Sequence, residues 1–378
     1  MSGRVRQVHC LAALLLCALL LIGCGSALEA AAPQAQVTGH MELIYAEQFS
    51  VDCYDDGSAL ITIGGTDRYL LLPEGAEPPA HDRDAVLLRK PLQKLYLAAS
   101  SAMDLFLQLD ALDRVRMTST SENNWAIPQV VQALESGSML YAGKYSAPDF
   151  ERILSEGCDL SIQSTMIYHS PEIREKLTEL GVPVLVERSS YESHPLGRVE
   201  WIKLYGVLTG REEEAARFFE EQLRQLNALQ TVEAEAKDVA FFYINSAGMA
   251  VVHKGGDYVA KMIELAGGRY VFEDLRRDDS ALSTVNLQME SFYAGARDAD
   301  VLIYNSAIGG NLDTLAQLLS KSELLSDFKA VQSGNVWCAG QNMFQESSAS
   351  AGMIADINAI LSGQASELDE LRFLHRLR

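Results

Sequence analysis

Apolar and polar positions along this chain follow two rhythms. Between Glu42 and Leu72 the apolar residues come in short runs, and Leu60-Ile61-Thr62-Ile63 and Tyr69-Leu70-Leu71-Leu72 flank the pair Gly64-Gly65. Such runs parted by glycines predict two strands of a hairpin. Pro73 to Pro79 closes the section, which reads as an antiparallel β extension. From Pro91 short apolar strands alternate with amphipathic helices. Leu95-Tyr96-Leu97-Ala98 precedes a helix carrying Met103, Leu105, Phe106 and Leu109. Val115 to Met117, a helix from Pro128 to Glu135, Met139-Leu140-Tyr141 and a helix opened by Ser146 follow. Next come the strand Leu160 to Ile162, the helix Pro171 to Leu180 and the strand Pro183 to Glu187. This alternation predicts βαβ units on a parallel sheet, with right-handed crossovers placing helices over its faces.

A helical stretch interrupts the alternation. His194 to Leu208 has Val199, Ile202, Tyr205 and Val207 at helical spacing, and Thr209-Gly210 breaks it. Arg211 to Gln230 then repeats apolar residues every three or four positions, the pattern of a helix with one buried stripe. At ~1.5 Å per residue such a helix spans ~30 Å, enough to bridge two small lobes and stiff enough to allow only modest closure. Alternation resumes with the strand Val239 to Ile244, the helix Tyr258 to Ala266 stopped by Gly267-Gly268, and the helix Met289 to Ala294. The strands Val301 to Tyr304 and Asn335 to Cys338 and the helix Ala351 to Leu361 complete it. Glu367 to Arg378, mixed in charge, is expected to be a frayed helix.

One local arrangement occurs twice. Phe150-Glu151 and Met289-Glu290 each place an exposed glutamate one residue after the first apolar anchor of a helix, and each helix leads to an Asp-headed strand, Asp159-Leu160 or Asp300-Val301. In the first copy Ser146 and Asp149 have capping-box spacing. A lone glutamate of this kind is what any amphipathic helix shows; its repetition points to two similar lobes.

Composition narrows the function. The 378 residues exceed one ordinary domain, and 48% hydrophobic content supports packed cores. A net charge of -20 excludes a general nucleic-acid binder, which needs clustered Lys and Arg on phosphates. The first residues have a different character: Arg4 and Arg6 precede an apolar run, Val8 to Ile22, too short to favour a spanning helix and readable as an export signal. Leu21-Ile22-Gly23-Cys24 resembles the lipobox of bacterial lipoproteins, which implies lipidation of Cys24, with Ala27 to Thr38 as a tether on the extracytoplasmic face of the cell membrane. Cys53, Cys158 and Cys338 make no disulfide framework or CxxC pair and read as small buried side chains.

The segments Lys144-Tyr145-Ser146-Ala147-Pro148-Asp149-Phe150-Glu151, Cys158-Asp159-Leu160 and Leu180-Gly181-Val182-Pro183-Val184 resemble the class III periplasmic-binding-protein family. Tyr205-Gly206-Val207-Leu208-Thr209-Gly210-Arg211 and Gly334-Asn335-Val336-Trp337 match as well. The likeness covers roughly Pro91 to Gly363; Gln108-Leu109-Asp110-Ala111 departs from it where the family usually has Gly before the second strand. It implies an α/β fold of two α/β lobes with parallel-type sheets joined by a single long helix, here with an N-terminal β extension. The corresponding division is a signal peptide over 1–23, a tether over 24–40, the extension over 41–90, lobes over 91–194 and 237–363, a helical linker over 195–236 and a tail over 364–378. It further implies a monomeric receptor lipoprotein of an ABC importer for ferric siderophores, haem or corrinoids, working with a permease dimer and its ATPase. In that family one glutamate per lobe docks onto a permease arginine; the matching residues are Glu151 and Glu290.

Ligands of open α/β sheets bind beyond the carboxyl ends of the strands. First-lobe candidates there are Asn124 and Trp125, Lys144 and Tyr145, Met166, Tyr168 and His169, and Arg188 with Tyr191 and His194. The second lobe offers Asn245, Asn305, Gln341, Asn342 and Phe344. Aromatic faces with a few donors suit a bulky organic metal chelate, and Arg188 could grip an anionic group in a bidentate fork. Each has a duller alternative: Trp125 packed under its own loop, His169 and His194 capping the helices after them, Arg188 paired with a carboxylate. Tyr168, His169, Tyr191 and His194 could in principle ligate iron directly, yet no HxH, HxxxH or HExxH spacing is present, so a receptor for a bare metal ion is the weaker reading. An enzyme related to two-lobed chelatases is the alternative from another class, although no GxSxG, P-loop or GxGxxG follows a strand; no bound cofactor is expected.

Overall fold

The computed structural model describes residues 35–78, 82, 84–229, 236–275, 283–366 and 371–378. The proposed signal peptide, Cys24 and most of the tether lie outside the described residues.

The N-terminal extension is a five-stranded sheet ordered along the chain: Val37–His40, Phe49–Tyr54, Ala59–Ile63, Asp67–Leu72 and Val86–Arg89. The expected hairpin forms, turning at Gly64 and Gly65, both at positive φ. One expectation is corrected: the last strand pairs parallel to Asp67–Leu72, so the extension is not wholly antiparallel. Alternate residues face opposite ways. Val51, Ile61, Ile63, Tyr69 and Leu71 join the core of the first lobe, while Leu60, Leu70, Leu72 and Ala85 form a small core of their own.

Carboxylates tie this extension to the lobe. Five consecutive backbone amides, residues 44–48, donate to two glutamates. Glu200 accepts from Ile44, Tyr45 and Ala46 at 2.8–3.0 Å, and Glu192 accepts from Glu47 at 2.8 Å and Gln48 at 3.1 Å. Glu200 is fully buried and also takes Lys203 Nζ at 2.7 Å; Glu192 takes Trp201 Nε1 at 2.9 Å. A buried carboxylate is tolerable only when its lone pairs are used this fully.

The first lobe holds a five-stranded, all-parallel sheet in the spatial order Val184–Glu187, Leu160–Ser164, Leu95–Leu97, Val115–Thr118, Leu140–Tyr141. Both faces are covered. Leu95 and Leu97 face Phe106 and Leu204, whereas Tyr96 faces the other side with Ile153 and Leu177. Strands buried on both faces read as continuous apolar runs, which is why the sequence showed them. The helix expected from Ser146 begins later: Ala147–Pro148 pairs with Gly143–Lys144, and Asp149 caps Phe150–Ser155 by accepting from Arg152 N at 3.0 Å.

The connection between lobes is a helix pair rather than one long helix. Pro195–Thr209 ends at Gly210, in the left-handed region at φ 71°, and Glu212–Asn227 packs back on it. Gly206 lets the two approach, since a Cβ there would meet that of Ala215 at 2.9 Å. Nearly every residue of Pro195–Thr209 is buried, and it touches helices of both lobes.

The second lobe has a seven-stranded mixed sheet, not a parallel one. Val301–Asn305 lies parallel between Asp238–Ile244 and Val336–Ala339. Ala250–His253 and Thr284–Leu287, absent from the expectation, extend one edge antiparallel. The other edge is Leu374–Arg376, antiparallel to Val336–Ala339, so the chain end is a strand with Phe373, Leu374 and Leu377 buried, not a frayed helix. Cys338 is buried as expected, Cys158 is half-buried, and Cys53 is exposed.

Glu200→Ala is expected to cost about 2–4 kcal/mol in chemical unfolding, because several amides and Lys203 lose their acceptor together. A loss below about 1 kcal/mol would mean that water replaces the carboxylate and that the anchor is dispensable.

Candidate functional site

The carboxyl ends of the two main sheets face each other. The side chain of Gln345, beyond strand Val336–Ala339, accepts from Ala126 N at 2.7 Å and donates to Asn124 O at 2.7 Å, beyond strand Val115–Thr118. Nearby, Ser348 N donates to the buried Asp104 at 3.0 Å. An amide side chain matched to one backbone N–H and one C=O bridges the lobes as a strand edge would. A polar loop residue such as Gln345 carries no sequence signal for this role.

Tyr168, Arg188 and Tyr191 come together on the first lobe. The short helical turns Thr165–His169 and Ser189–Tyr191 follow adjacent strands, placing Arg188 4.7 Å over the Tyr191 ring and 3.4 Å from Tyr168 Oη. Arg188 Nε donates to Gln48 at 3.2 Å, and its guanidinium lies against Gly64, where a Cβ would sit 3.1 Å away. The extension therefore forms part of this cluster, which sequence reasoning had kept apart from it. Arg188 has no carboxylate partner among the described residues. Met166 and Tyr168 beside it are 47% and 43% exposed, an apolar and aromatic face left open to solvent. His169 is exposed next to them, and Lys144 is exposed on its short strand.

Other candidates have structural work. Trp125 is buried under its own loop, donating Nε1–H to Thr120 O at 3.1 Å. Tyr145, half-buried, packs against the same core cluster as Phe150. Asn245 shapes a turn, accepting from Ala247 N and Met249 N. Asn305 is buried at a strand end, and Asn342 donates to Glu346 at 3.2 Å. Gln341 and Phe344 fall in the turn beyond Val336–Ala339. His194 is a cap: Nδ1 accepts from Leu196 N at 3.1 Å, and the ring stacks on Tyr45 at 3.9 Å. Burial, with Lys261 nearby, pushes the imidazole down to about 4. With Nδ1 accepting, the proton of the neutral ring sits on Nε2, so neither nitrogen offers a free lone pair to iron. Among the described residues no three His, Cys, Asp or Glu side chains converge as a metal site.

Glu151 and Glu290 occupy equivalent places. Each is the second residue of its helix, Phe150–Ser155 or Met289–Ala296, and each is exposed without an ion pair or hydrogen bond among the described residues. Ile153 and Phe292, two residues on, are fully buried anchors. Asp159 accepts from Gln93 N and Lys94 N, and Asp300 accepts from Asp238 N, so in both lobes the aspartate ties the helix-to-strand loop to the lobe's first strand. A helix running back along a parallel sheet starts at the strands' carboxyl edge, so both glutamates lie on the side of the cleft.

The family profile described as periplasmic binding protein matches residues 98–342, and the chain belongs to this family. It is 29% identical over 229 residues to an uncharacterized lipoprotein of Methanocaldococcus jannaschii, covering 58% of this chain and 52% of the relative, so it spans about half that relative's length. A second uncharacterized lipoprotein of the same organism is 24% identical over 88% of this chain and 86% of its own. Among solved structures, the periplasmic heme binding protein HutB of Vibrio cholerae superposes with a TM-score of 0.56 at 19% identity, covering 70% of this chain and 98% of that one. At that identity the superposition speaks for the fold.

The depressed imidazole of His194 makes a pH prediction. Its contribution to stability is fully present above the ordinary value of 6.5 and is lost as pH falls from there through about 4, because in that window the unfolded chain takes up a proton that the buried ring does not. Unfolding midpoints across this window should fall less steeply for His194→Asn, which keeps a capping oxygen; an unaltered slope would remove His194 as the titrating group.

Proposed function

We propose that this chain is the extracytoplasmic, lipid-anchored substrate-binding protein of an ABC importer. It captures an iron chelate, a ferric siderophore or haem, or a corrinoid between its lobes and delivers it to a permease dimer with its ATPase. The observation that carries this reading is the pair of sheets facing each other by their carboxyl ends, with an exposed aromatic, methionine and arginine cluster on one wall. Such a face buries a flat or bulky organic body by area and fixes its orientation with few donors. The likeness of the fold to a periplasmic heme binding protein supports a chelate rather than a sugar. The lipoprotein relatives support lipidation at Cys24.

In this reading the strand ends hold the ligand, and the buried helix Pro195–Thr209, gripped by both lobes, limits closure to small adjustments. Glu151 and Glu290 then present one carboxylate from each lobe to a two-fold symmetric permease. Charge complementarity at that distance sets register and encounter rate more than affinity. Because neither glutamate has a partner among the described residues, reversing its charge breaks no contact seen there.

The test is the doubly reversed variant Glu151→Arg with Glu290→Arg. Chelate uptake by cells carrying it should fall to background, while the purified variant binds the same chelate within about twofold of wild type, since 0.4 kcal/mol separates a factor of two. Uptake at the wild-type rate would remove the docking role.

A further inference from the structure

The outer edge of the N-terminal extension lies apart from the cleft. Val86–Arg89 is the last strand of that sheet and pairs on one side only, with Asp67–Leu72. Lys90 N donates to Leu72 O at 2.9 Å. Successive residues of a strand turn their N–H and C=O groups to opposite edges, so Leu87 and Arg89 turn theirs away from the sheet. No strand among the described residues takes up those groups. Exposed edges are usually blunted by charge, proline or a bulge. Here Val86 on one face and Leu87 on the other are each 43% exposed. Charge sits only at the two ends, and with opposite sign: Asp84, with its side chain 70% exposed, stands before the strand, and Arg89 and Lys90 close it.

Beside Val86 a groove of about 710 Å³ runs between this sheet and the helix Pro171–Glu179. It carries four acids, Asp67, Asp84, Glu175 and Glu179, against two arginines, Arg68 and Arg174. Both arginines are engaged, Arg174 by Asp67 at 2.9 Å and Arg68 by Asp84 and Asp82. Glu175 is exposed, so the groove keeps an excess of negative charge. Pro183 and Val184 line it at the amino start of their strand, the end of the first lobe opposite the cleft.

We propose that this edge joins two copies of the chain in an isologous dimer, in which Val86–Arg89 pairs antiparallel with the same strand of the second copy. The register that uses the outward groups sets Leu87 against the partner's Arg89 and Arg89 against the partner's Leu87, with the two-fold axis at Leu88. Antiparallel pairing brings the acidic start of each strand to the basic end of the other. Val86 then faces the partner's Lys90, whose ammonium reaches diagonally toward Asp84 and the acids of the groove. In the single chain Lys90 holds Glu212 at 3.3 Å, an exposed pair weak enough to exchange. The net charge of -20 opposes association at long range, but charges more than about 8 Å apart are largely screened at physiological salt, and the edge contacts are closer. Pairing here leaves the facing strand ends of the two lobes uncovered and does not depend on what they bind. It departs from the monomer that the family likeness implied.

Sedimentation velocity of the full chain at about 0.15 M ionic strength tests this. The average mass should rise from one copy toward two as concentration increases from about 1 μM to about 1 mM, the range of a small interface. Leu87→Pro removes an outward N–H from each copy and leaves the ladder to Asp67–Leu72 intact, so the midpoint should move about 10- to 100-fold higher. Leu87→Lys keeps the backbone and sets a cation against the partner's Arg89; it should weaken the dimer likewise, and an unchanged melting temperature shows that the fold is kept. A wild type that stays a single copy throughout overturns the proposal and leaves the edge to a partner of another kind. A dimer that the folded variants keep at wild-type strength overturns it too, by placing the contact elsewhere.

Discussion

Everything else in this molecule depends on how two carboxylates organise one turn of backbone. Glu200 and Glu192, on and just before the helix shared by both lobes, accept the five amides of residues 44–48. That capture converts a β sheet with little core of its own into part of the first lobe, with Phe49 edge-on to Trp201 at 5.0 Å and Tyr69 Oη donating to Val184 O at 2.7 Å. It also delivers Gln48 to Arg188 and Tyr45 to His194, so the same contact that anchors the extension shapes the cleft wall. Burial pushes the Glu192 carboxyl up, and the amides and Trp201 that it accepts from act against that rise.

Among the described residues the directional contacts that join the lobes include the double bridge of Gln345, the Asp104–Ser348 bond and the Arg198–Tyr258 stack. Each is polar and directional, and each joins loops or helix starts rather than packed sheet faces. An interface of this kind is easier to open than a hydrophobic seam of similar extent. The buried helix pair behind it behaves differently: Pro195–Thr209 packs against helices of both lobes, and Glu212–Asn227 covers it. Stiffness at the back and hydrogen-bonded contacts at the front are what the proposed receptor role requires, a small opening with Glu151 and Glu290 kept at a set distance.

The α/β architecture was legible because strands covered on both faces are continuous apolar runs and helices carry one stripe; Pro128–Glu135 falls where its pattern placed it. What the sequence hid has physical reasons. Leu374–Arg376 is one apolar residue followed by His375 and Arg376, too short a run to read as a strand, and it is one because Val336–Ala339 offers it an edge. Residues 284–287 form the edge strand at the other side and were missed for the same cause, while the short run 250–253 is a strand because it is paired on both sides. The helix break at Gly210 was visible, but not that the first helix of the pair, rather than the second, is buried between the lobes. Tyr168, Arg188 and Tyr191, singled out by their place after strands, lie together in the structure, whereas Trp125 and His194 bond within their own loops.

The central claim is that the facing strand ends hold an organic metal complex. Native mass spectrometry of the protein released from its own cell membranes measures this directly. The account expects an adduct in the mass range of haem, a corrinoid or a ferric siderophore, lost on unfolding and carrying the isotope pattern of its metal. A protein that stays at its bare mass after incubation with all three classes of chelate would contradict it.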